Sequence, residues 1–206
     1  MRNFFGPLTT RVSGDVSCPA GQRMVSSGAS NGSITSLTPL PDFTGVSASG
    51  IILSSAANYL QVVVGCLPVG QIAGVTVRSE TFVPDEKGAA SGVVPCPAGT
   101  HAFGGGGYFR TAQNFPSTRS RPLVSNTVSA DGTGWTFKAS SLTSERLVIT
   151  TQCAPLPGSY VAQAHVVIPG PEAIRREVYT DCKSGYSMLS GGVYLSKPDG
   201  TEQEGR

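Results

Sequence analysis

Charge is scarce in this sequence. Asp, Glu, Lys and Arg make up 14% of its 206 residues, and the formal net charge is +2. A balance so near neutral argues neither for nor against a nucleic-acid partner, and no specific one is expected. Long apolar runs are missing too: none approaches the ~18 residues of a membrane-spanning helix. The opening segment MRNFFGPLTTRVSG holds no apolar core of signal-peptide length, so it does not read as an intact leader. Histidine is limited to His101 and His165 and there is no CxxC, whereas a structural zinc site needs closely spaced ligand pairs. Neither a metal nor a cofactor is expected.

Glycine and proline are abundant, at 26 and 15 residues, and 39% of the chain is hydrophobic. Disorder requires low hydrophobicity with high net charge, so a folded chain is expected. The excess of Gly, Pro, Ser, Thr and Val points to short strands joined by tight turns, with a polar but uncharged surface. Such a surface is more usual outside cells.

One pattern recurs three times. The chain reads CPAGQRMVSSGAS from Cys18, CPAGTHAFGGGGY from Cys96 and CKSGYSMLSGGVY from Cys182. Counting from each Cys, a Gly lies three residues on (Gly21, Gly99, Gly185) and an apolar residue seven on (Val25, Phe103, Leu189). A small pair lies nine and ten on: Ser27-Gly28, Gly105-Gly106 and Gly191-Gly192. Tyr108 and Tyr194 lie twelve on, where the first copy has Ser30. The segments ahead of the second and third Cys, VTVRSETFVP (75–84) and YVAQAHVVIP (160–169), both alternate as strands do and end at a Pro. GIILSSAANYLQVVVGC (50–66) resembles GWTFKASSLTSERLVITTQC (134–153), each a strand, a polar turn and a strand closing on a Cys. That alignment matches Ile51 with Trp135 and Leu53 with Phe137. PEAIRREVY (171–179) is the one segment with a short helical signature.

These matches predict an all-β fold of tandem pseudo-repeats built from short antiparallel strands, sandwich- or prism-like. Two units are complete, 1–69 and 70–157; the third, 158–206, is partial and lacks its closing strands. LPVG (67–70) and APLPG (154–158) mark the joins. Each complete unit holds two cysteines, 48 and 57 residues apart. The matched placement predicts disulfides Cys18–Cys66 and Cys96–Cys153, each worth roughly 3–4 kcal/mol in the chain-entropy model. The alternative is buried free thiols in a reducing compartment. Cys182 is left over: free, paired between chains, or, the favoured reading, missing a partner further along the chain.

The glycine run GGGG (104–107) is not followed by Lys-Ser or Lys-Thr and opens no helix, so it fits neither a P-loop nor a dinucleotide fingerprint. Small residues recur at its offsets, which points to close backbone packing or a bulge beside a bulky side chain. Catalytic patterns are thin. His101 stands where the other copies have Arg23 and Ser187, His165 lies in an alternating strand, and no GxSxG is present. Asp85 and Glu86 precede a Gly, and Asp131 and Asp199 sit in Asp-Gly pairs, a hairpin signal first. No catalytic residue is expected, although two glycosidase acids need not be close in sequence.

Two sets of residues are candidates for binding. The loop RTAQNFPSTRSRP (110–122) carries Arg110, Arg119 and Arg121 with Phe115 and no acid. Arg with an aromatic suits a polyanion, a sugar face or a neighbouring subunit, against a plain reading as solvated loop. Tyr108, Trp135 and Tyr194 are candidate sugar-stacking residues, against a plain reading of Trp135 as core.

The pattern of CPAG, an apolar residue, GGG, an aromatic, a Trp strand and a closing Cys resembles repeats in secreted proteins of actinobacteria and in structural proteins of their phages. The first unit departs from it, with Ser-Ser-Gly for the glycines and Ile51 for the Trp. The resemblance implies an extracellular or virion β module. The expectation is therefore a non-enzymatic structural or assembly protein whose partners are other protein subunits, its own copies or those of a virion or cell surface. With Met1 read as the start and no leader, a phage tail, fibre or capsid-surface component comes first. A secreted bacterial surface or filament-forming protein is the alternative, and a carbohydrate-binding module the third reading.

Overall fold

The structure is a computed structural model that describes residues 1–30, 33–52, 59–115, 117, 125–162, 180–185, 188–189 and 191–194. Their regular structure is β throughout, apart from one 3-10 turn at Pro41–Phe43. The strands are β1 (Arg2–Phe5), β2 (Arg11–Ser17), β3 (Gln22–Ser30), β4 (Ser33–Pro39), β5 (Gly45–Ile51) and β6 (Tyr59–Pro68). They are followed by β7 (Thr76–Phe82), β8 (Ala89–Pro95), β9 (His101–Arg110), β10 (Ser125–Val128), β11 (Gly134–Ser140), β12 (Arg146–Ala154) and β13 (Val193–Tyr194). The helical signature at 171–179 lies outside the described residues.

The strands form three sheets, ordered β1-β6-β3, β2-β5-β4-β9-β12-β7 and β13-β10-β11-β8. The order β1-β6-β3 recurs as β7-β12-β9, and β2-β5-β4 recurs, read in the same direction, as β8-β11-β10. The first core lies between the layers of residues 2–68. It contains Val16, Met24, Leu37, Phe43, Val46, Ala48, Leu60 and Val62, with Phe4 and Val12 packed against it. The second core lies between the layers of residues 76–154, around Val94, Phe109, Trp135, Phe137, Leu147 and Ile149. Alternation within each strand sends these residues inward.

The Cys-Pro-Ala-Gly turns explain their composition. Gly21 and Gly99 both adopt φ +77, which a side chain resists. The amide of Gln22 donates to Pro19 O at 3.0 Å, and that of Thr100 to Pro97 O at 3.1 Å, so each turn needs a positive φ at its third residue. The Cys amides are placed alike, Cys18 donating to Thr44 O and Cys96 to Thr133 O, both at 2.7 Å. Disulfides Cys18–Cys66 and Cys96–Cys153 join the layers of their respective halves. Intramolecular disulfides are compatible with an oxidising compartment. No helix among the described residues is long and apolar enough to cross a membrane.

One alignment needs correction. Gly45 pairs with Ser17 and Val46 with Val16, as Gly134 pairs with Pro95 and Trp135 with Val94. The counterpart of Trp135 is therefore Val46, not Ile51, and that of Phe137 is Ala48; Leu53 lies outside the described residues. The Gly-Ile pair at 50–51 mimics Gly-Trp because the polar link from β5 to β6 differs in length from that between β11 and β12. Link length is weakly constrained, whereas strand register is strongly constrained.

Candidate functional site

A third apolar cluster lies where the segment 2–68 meets the segment 76–154. Val25 is the extra residue of a bulge in β3, where pairing with β6 skips from Met24 to Ser26. Phe103 is the extra residue at the same place in β9, where pairing with β12 skips from Ala102 to Gly104. A bulge re-aims its side chain. Val25 and Phe103 leave their own sandwich cores and enter this third cluster with Ala154, Leu67, Ile72, Val75, Leu156 and Leu189. The apolar residues seven positions after Cys18, Cys96 and Cys182 thus converge on one centre, which the joins between repeats also line.

Strand pairing links the repeats at this junction. Leu37 of β4 pairs with Gly107 of β9, and Asn126 of β10 pairs with Val193 of β13. Gly107 and Val193 both lie eleven residues after their Cys. Leu37 and Asn126 correspond as well, since they stand opposite Ala48 and Phe137. The two joints therefore share one register.

The glycine run serves this packing. A Cβ on Gly105 would lie 2.5 Å from the Trp135 ring, and one on Gly107 would lie 2.8 Å from the Phe137 ring. On the opposite face, a Cβ on Gly104 would lie 3.0 Å from Val25 O, and one on Gly106 would lie 2.1 Å from Leu37 O. Two glycines thus seat the core aromatics, and two admit the backbone of the preceding repeat.

Gln152, which the sequence did not single out, is fully buried and ties the repeats together: its Nε2 donates to Met24 O at 2.7 Å. Replacing Gln152 by Ala leaves that carbonyl without its donor and opens a void. The expected loss is about 2–3 kcal/mol in chemical denaturation, and a loss below about 0.5 kcal/mol would show that the bond carries little of the joint.

Beside the cluster is a cavity of about 220 Å³ lined in part by Arg23, Val25, Leu67, Ile72, Val75 and Phe103. Arg23 Nε is buried there without a hydrogen-bond partner among the described residues. Beyond it β3 is bonded, among the described residues, to β6 on one side only. Gly28 of β3 lies ten residues after its Cys, as Gly106 and Gly192 do. A Cβ on Gly192 would lie 2.2 Å from Asn126 O, yet one on Gly28 would meet nothing within 4 Å among the described residues. Val63, paired with Gly28, is exposed.

Arg110 is held locally: its Nη1 donates to Asn114 Oδ1 at 2.8 Å and its Nη2 to Thr81 Oγ1 at 3.3 Å. Phe115 is 69% exposed at the tip of the same turn. Arg119 and Arg121 lie outside the described residues. The loop is anchored by the buried Glu145, which accepts Ser117 Oγ at 2.7 Å and also Ser141 Oγ. Trp135 is 2% exposed, and its Nε1 donates to Asn126 Oδ1 at 2.8 Å. It is core and presents no face to a sugar. Tyr108 is half-buried in β9, and Tyr194 stands opposite Ser125 in the pairing of β13 with β10. Cys182 is free and exposed. His101 is half-buried next to Gly132, and His165 lies outside the described residues. No group of three or more His, Cys, Asp and Glu suited to a metal occurs among the described residues.

Asp131 sits in the turn joining β10 to β11, with Gly132 at φ +76. Its carboxylate accepts Ser129 Oγ at 2.7 Å, Thr133 N at 3.0 Å and Thr133 Oγ1 at 2.7 Å. These bonds, the one from Ser129 foremost, lower its pKa from 3.8 to about 2. A folded-state pKa below the unfolded value stabilises the fold above the unfolded pKa. That contribution is fully present above pH ~4 and is lost as pH falls toward ~2. An NMR titration is expected to place the Asp131 midpoint well below that of an unstructured peptide, and Asp131→Ala to flatten the stability profile in this window. A midpoint near 3.8 in the folded protein would refute the assignment.

No family model and no curated protein matches the chain.

Proposed function

We propose that the chain is a non-enzymatic extracellular structural protein that works by assembling with other protein subunits, foremost as a virion component of a tail, fibre or capsid surface. The observation that carries this reading is the outer edge of the second sandwich. Among the described residues, β7 ends the six-stranded sheet and β8 ends the four-stranded one. Val77 and Val93 on these strands, and Val83 just past β7, are all exposed. Apolar side chains on open strand edges template pairing with another chain, and monomeric proteins usually blunt such edges. The disulfides and the low charge favour an extracellular setting. A secreted bacterial surface or filament-forming protein has the same requirements and is the second reading. A glycan partner is the weaker third, since burial removes Trp135 from the stacking set.

Immunogold electron microscopy of the native material tests this. Label on a tail, fibre or capsid is the expected result, and label on cell-surface filaments would favour the second reading. A monodisperse free monomer of 21.2 kDa would end the assembly reading, and a positive glycan array with such a monomer would favour the third.

A further inference from the structure

We propose that β7 is where two copies of this chain join: its outer edge pairs antiparallel with β7 of a second copy, about a two-fold axis through Ser79. This rests on the assembly reading and names the partner for that edge.

β7 is built as an open edge. Among the described residues it pairs with β12 alone, over seven residues and without a bulge. Thr76, Val77, Arg78, Ser79 and Thr81 are exposed. Consecutive side chains of a strand point to opposite faces, so this exposure falls on both faces of β7. The strand holds no Pro and no Lys, two common devices against edge pairing.

The residues of the strand select its partner. TVRSETF has Ser79 at its centre, with Arg78 before it and Glu80 after it. An antiparallel copy centred on Ser79 overlaps the whole strand. It sets Arg78 opposite Glu80 of the second copy, and Glu80 opposite Arg78 of that copy. Val77 then faces Thr81, and Thr76 faces Phe82. A two-fold axis normal to the sheet keeps every side chain on its own face, as an isologous contact requires. Arg78 and Glu80 already lie on one face, 3.8 Å apart, and both reach solvent. The four charges of the pair of strands therefore alternate around a square. Opposite charges directly across a ladder attract, and like charges there repel. Moving the axis to Arg78 or to Glu80 would set each of these against itself, so the charges favour the register on Ser79.

β1 holds the place of β7 in the first repeat and is bonded, among the described residues, to β6 alone. It has four residues, RNFF, with Arg2 as its one charge. An antiparallel copy of β1 finds no opposite charge, so self-complementarity belongs to β7 and not to the repeat in general.

The test is the solution mass of the full chain by analytical ultracentrifugation over a range of concentrations. A dimer, twice 21.2 kDa, is expected. Arg78→Glu and Glu80→Arg are each expected to weaken it roughly tenfold, and the double exchange to restore it to within about threefold. Ser79→Cys in a Cys182→Ser background is expected to cross-link the dimer on oxidation, because residues on the axis face each other at about 4.5–5.5 Å between Cα atoms, within disulfide reach. Thr81→Cys is expected not to, since its two copies stand roughly 14 Å apart. A monomer up to about 1 mM would overturn the proposal. So would a dimer that ignores the single reversals or stays weak in the double one, or cross-linking at Thr81 as efficient as at Ser79. If a charge variant fails to fold, the Ser79 cross-link decides alone. In each failure, immunogold label on a particle would leave the assembly reading standing with another partner at this edge. A dimer that behaves as expected, with no label on particle or filament, would end the virion and filament readings and keep this one.

Discussion

Replacing Cys96 and Cys153 together by Ala is expected to destabilise the protein by about 4 kcal/mol. The bridge closes a separation of 57 residues, and the entropy denied to the unfolded chain grows with the logarithm of that length. Cys96 follows β8 in one layer and Cys153 lies in β12 of the facing layer, so the bridge staples the two sheets around the second core. Cys153 is fully buried and Cys96 packs against that core, so lost packing adds to the entropic term. At roughly 2–4 °C per kcal/mol for a chain of this size, Tm should fall by about 8–16 °C. Removing both sulfurs avoids a stray thiol. The pair Cys18 and Cys66, 48 residues apart, should behave alike, because the logarithm barely changes. Cys182→Ser is the control: that residue is exposed and free, so Tm should stay within about 1–2 °C. Calorimetry under non-reducing conditions checks all three. A double variant losing less than about 1 kcal/mol would mean that the bridge adds little to what the sheets already enforce.

The legible parts of this fold are those set by local chemistry. The Cys-Pro-Ala-Gly turns repeat a backbone requirement, and Gly21 and Gly99 meet it with the same positive φ. The cysteine pairs were readable because each closes one unit at a matched place. Asp131 was readable as a hairpin residue because Asp-Gly encodes a turn. What could not be read depends on distant contacts. Val25 and Phe103 look like ordinary inward strand residues, and only the bulge diverts them to a shared centre. Gln152 follows two Thr in a mixed strand, RLVITTQCA, and its partner Met24 is 128 residues away. Edge pairing between repeats leaves no local mark beyond the glycines. Ile51 was matched to Trp135 because a Gly-apolar pair recurs at a plausible distance from the closing Cys; the true match, Val46, is fixed by pairing across the sheet. The Arg and Phe of loop 110–122 stand out in the sequence because they are close together without an acid, whereas the bonds of Arg110 to Asn114 and Thr81 depend on the turn and on the neighbouring strand.

Two glycines of the same motif should respond differently to one added methyl, and the difference tests what the glycine run is for. Gly99→Ala puts a side chain at φ +77 with no atom of the described residues within 4 Å of the new Cβ. Its cost is backbone strain alone, about 1–2 kcal/mol. Gly106 is not at positive φ, so Ala there meets no torsional strain. Its Cβ would instead lie 2.1 Å from Leu37 O, with Pro39 Cδ at 3.2 Å. The carbonyl belongs to β4, whose pairing with β9 forms the joint between repeats. Backbone cannot swing aside as the end of a side chain can, so relief requires β4 and β9 to separate. The expected loss is about 3 kcal/mol, with Tm lower by roughly 6–12 °C. Exchange should also quicken at the amides of β4. A flexible ligand loop would give the reverse order, since a methyl at Gly106 would meet open space and only the turn residue would matter. Equal losses at the two positions, or a smaller one at Gly106, would show that the repeats can part without cost. The junction would then be a loose contact and not the joint that holds the two sandwiches in register.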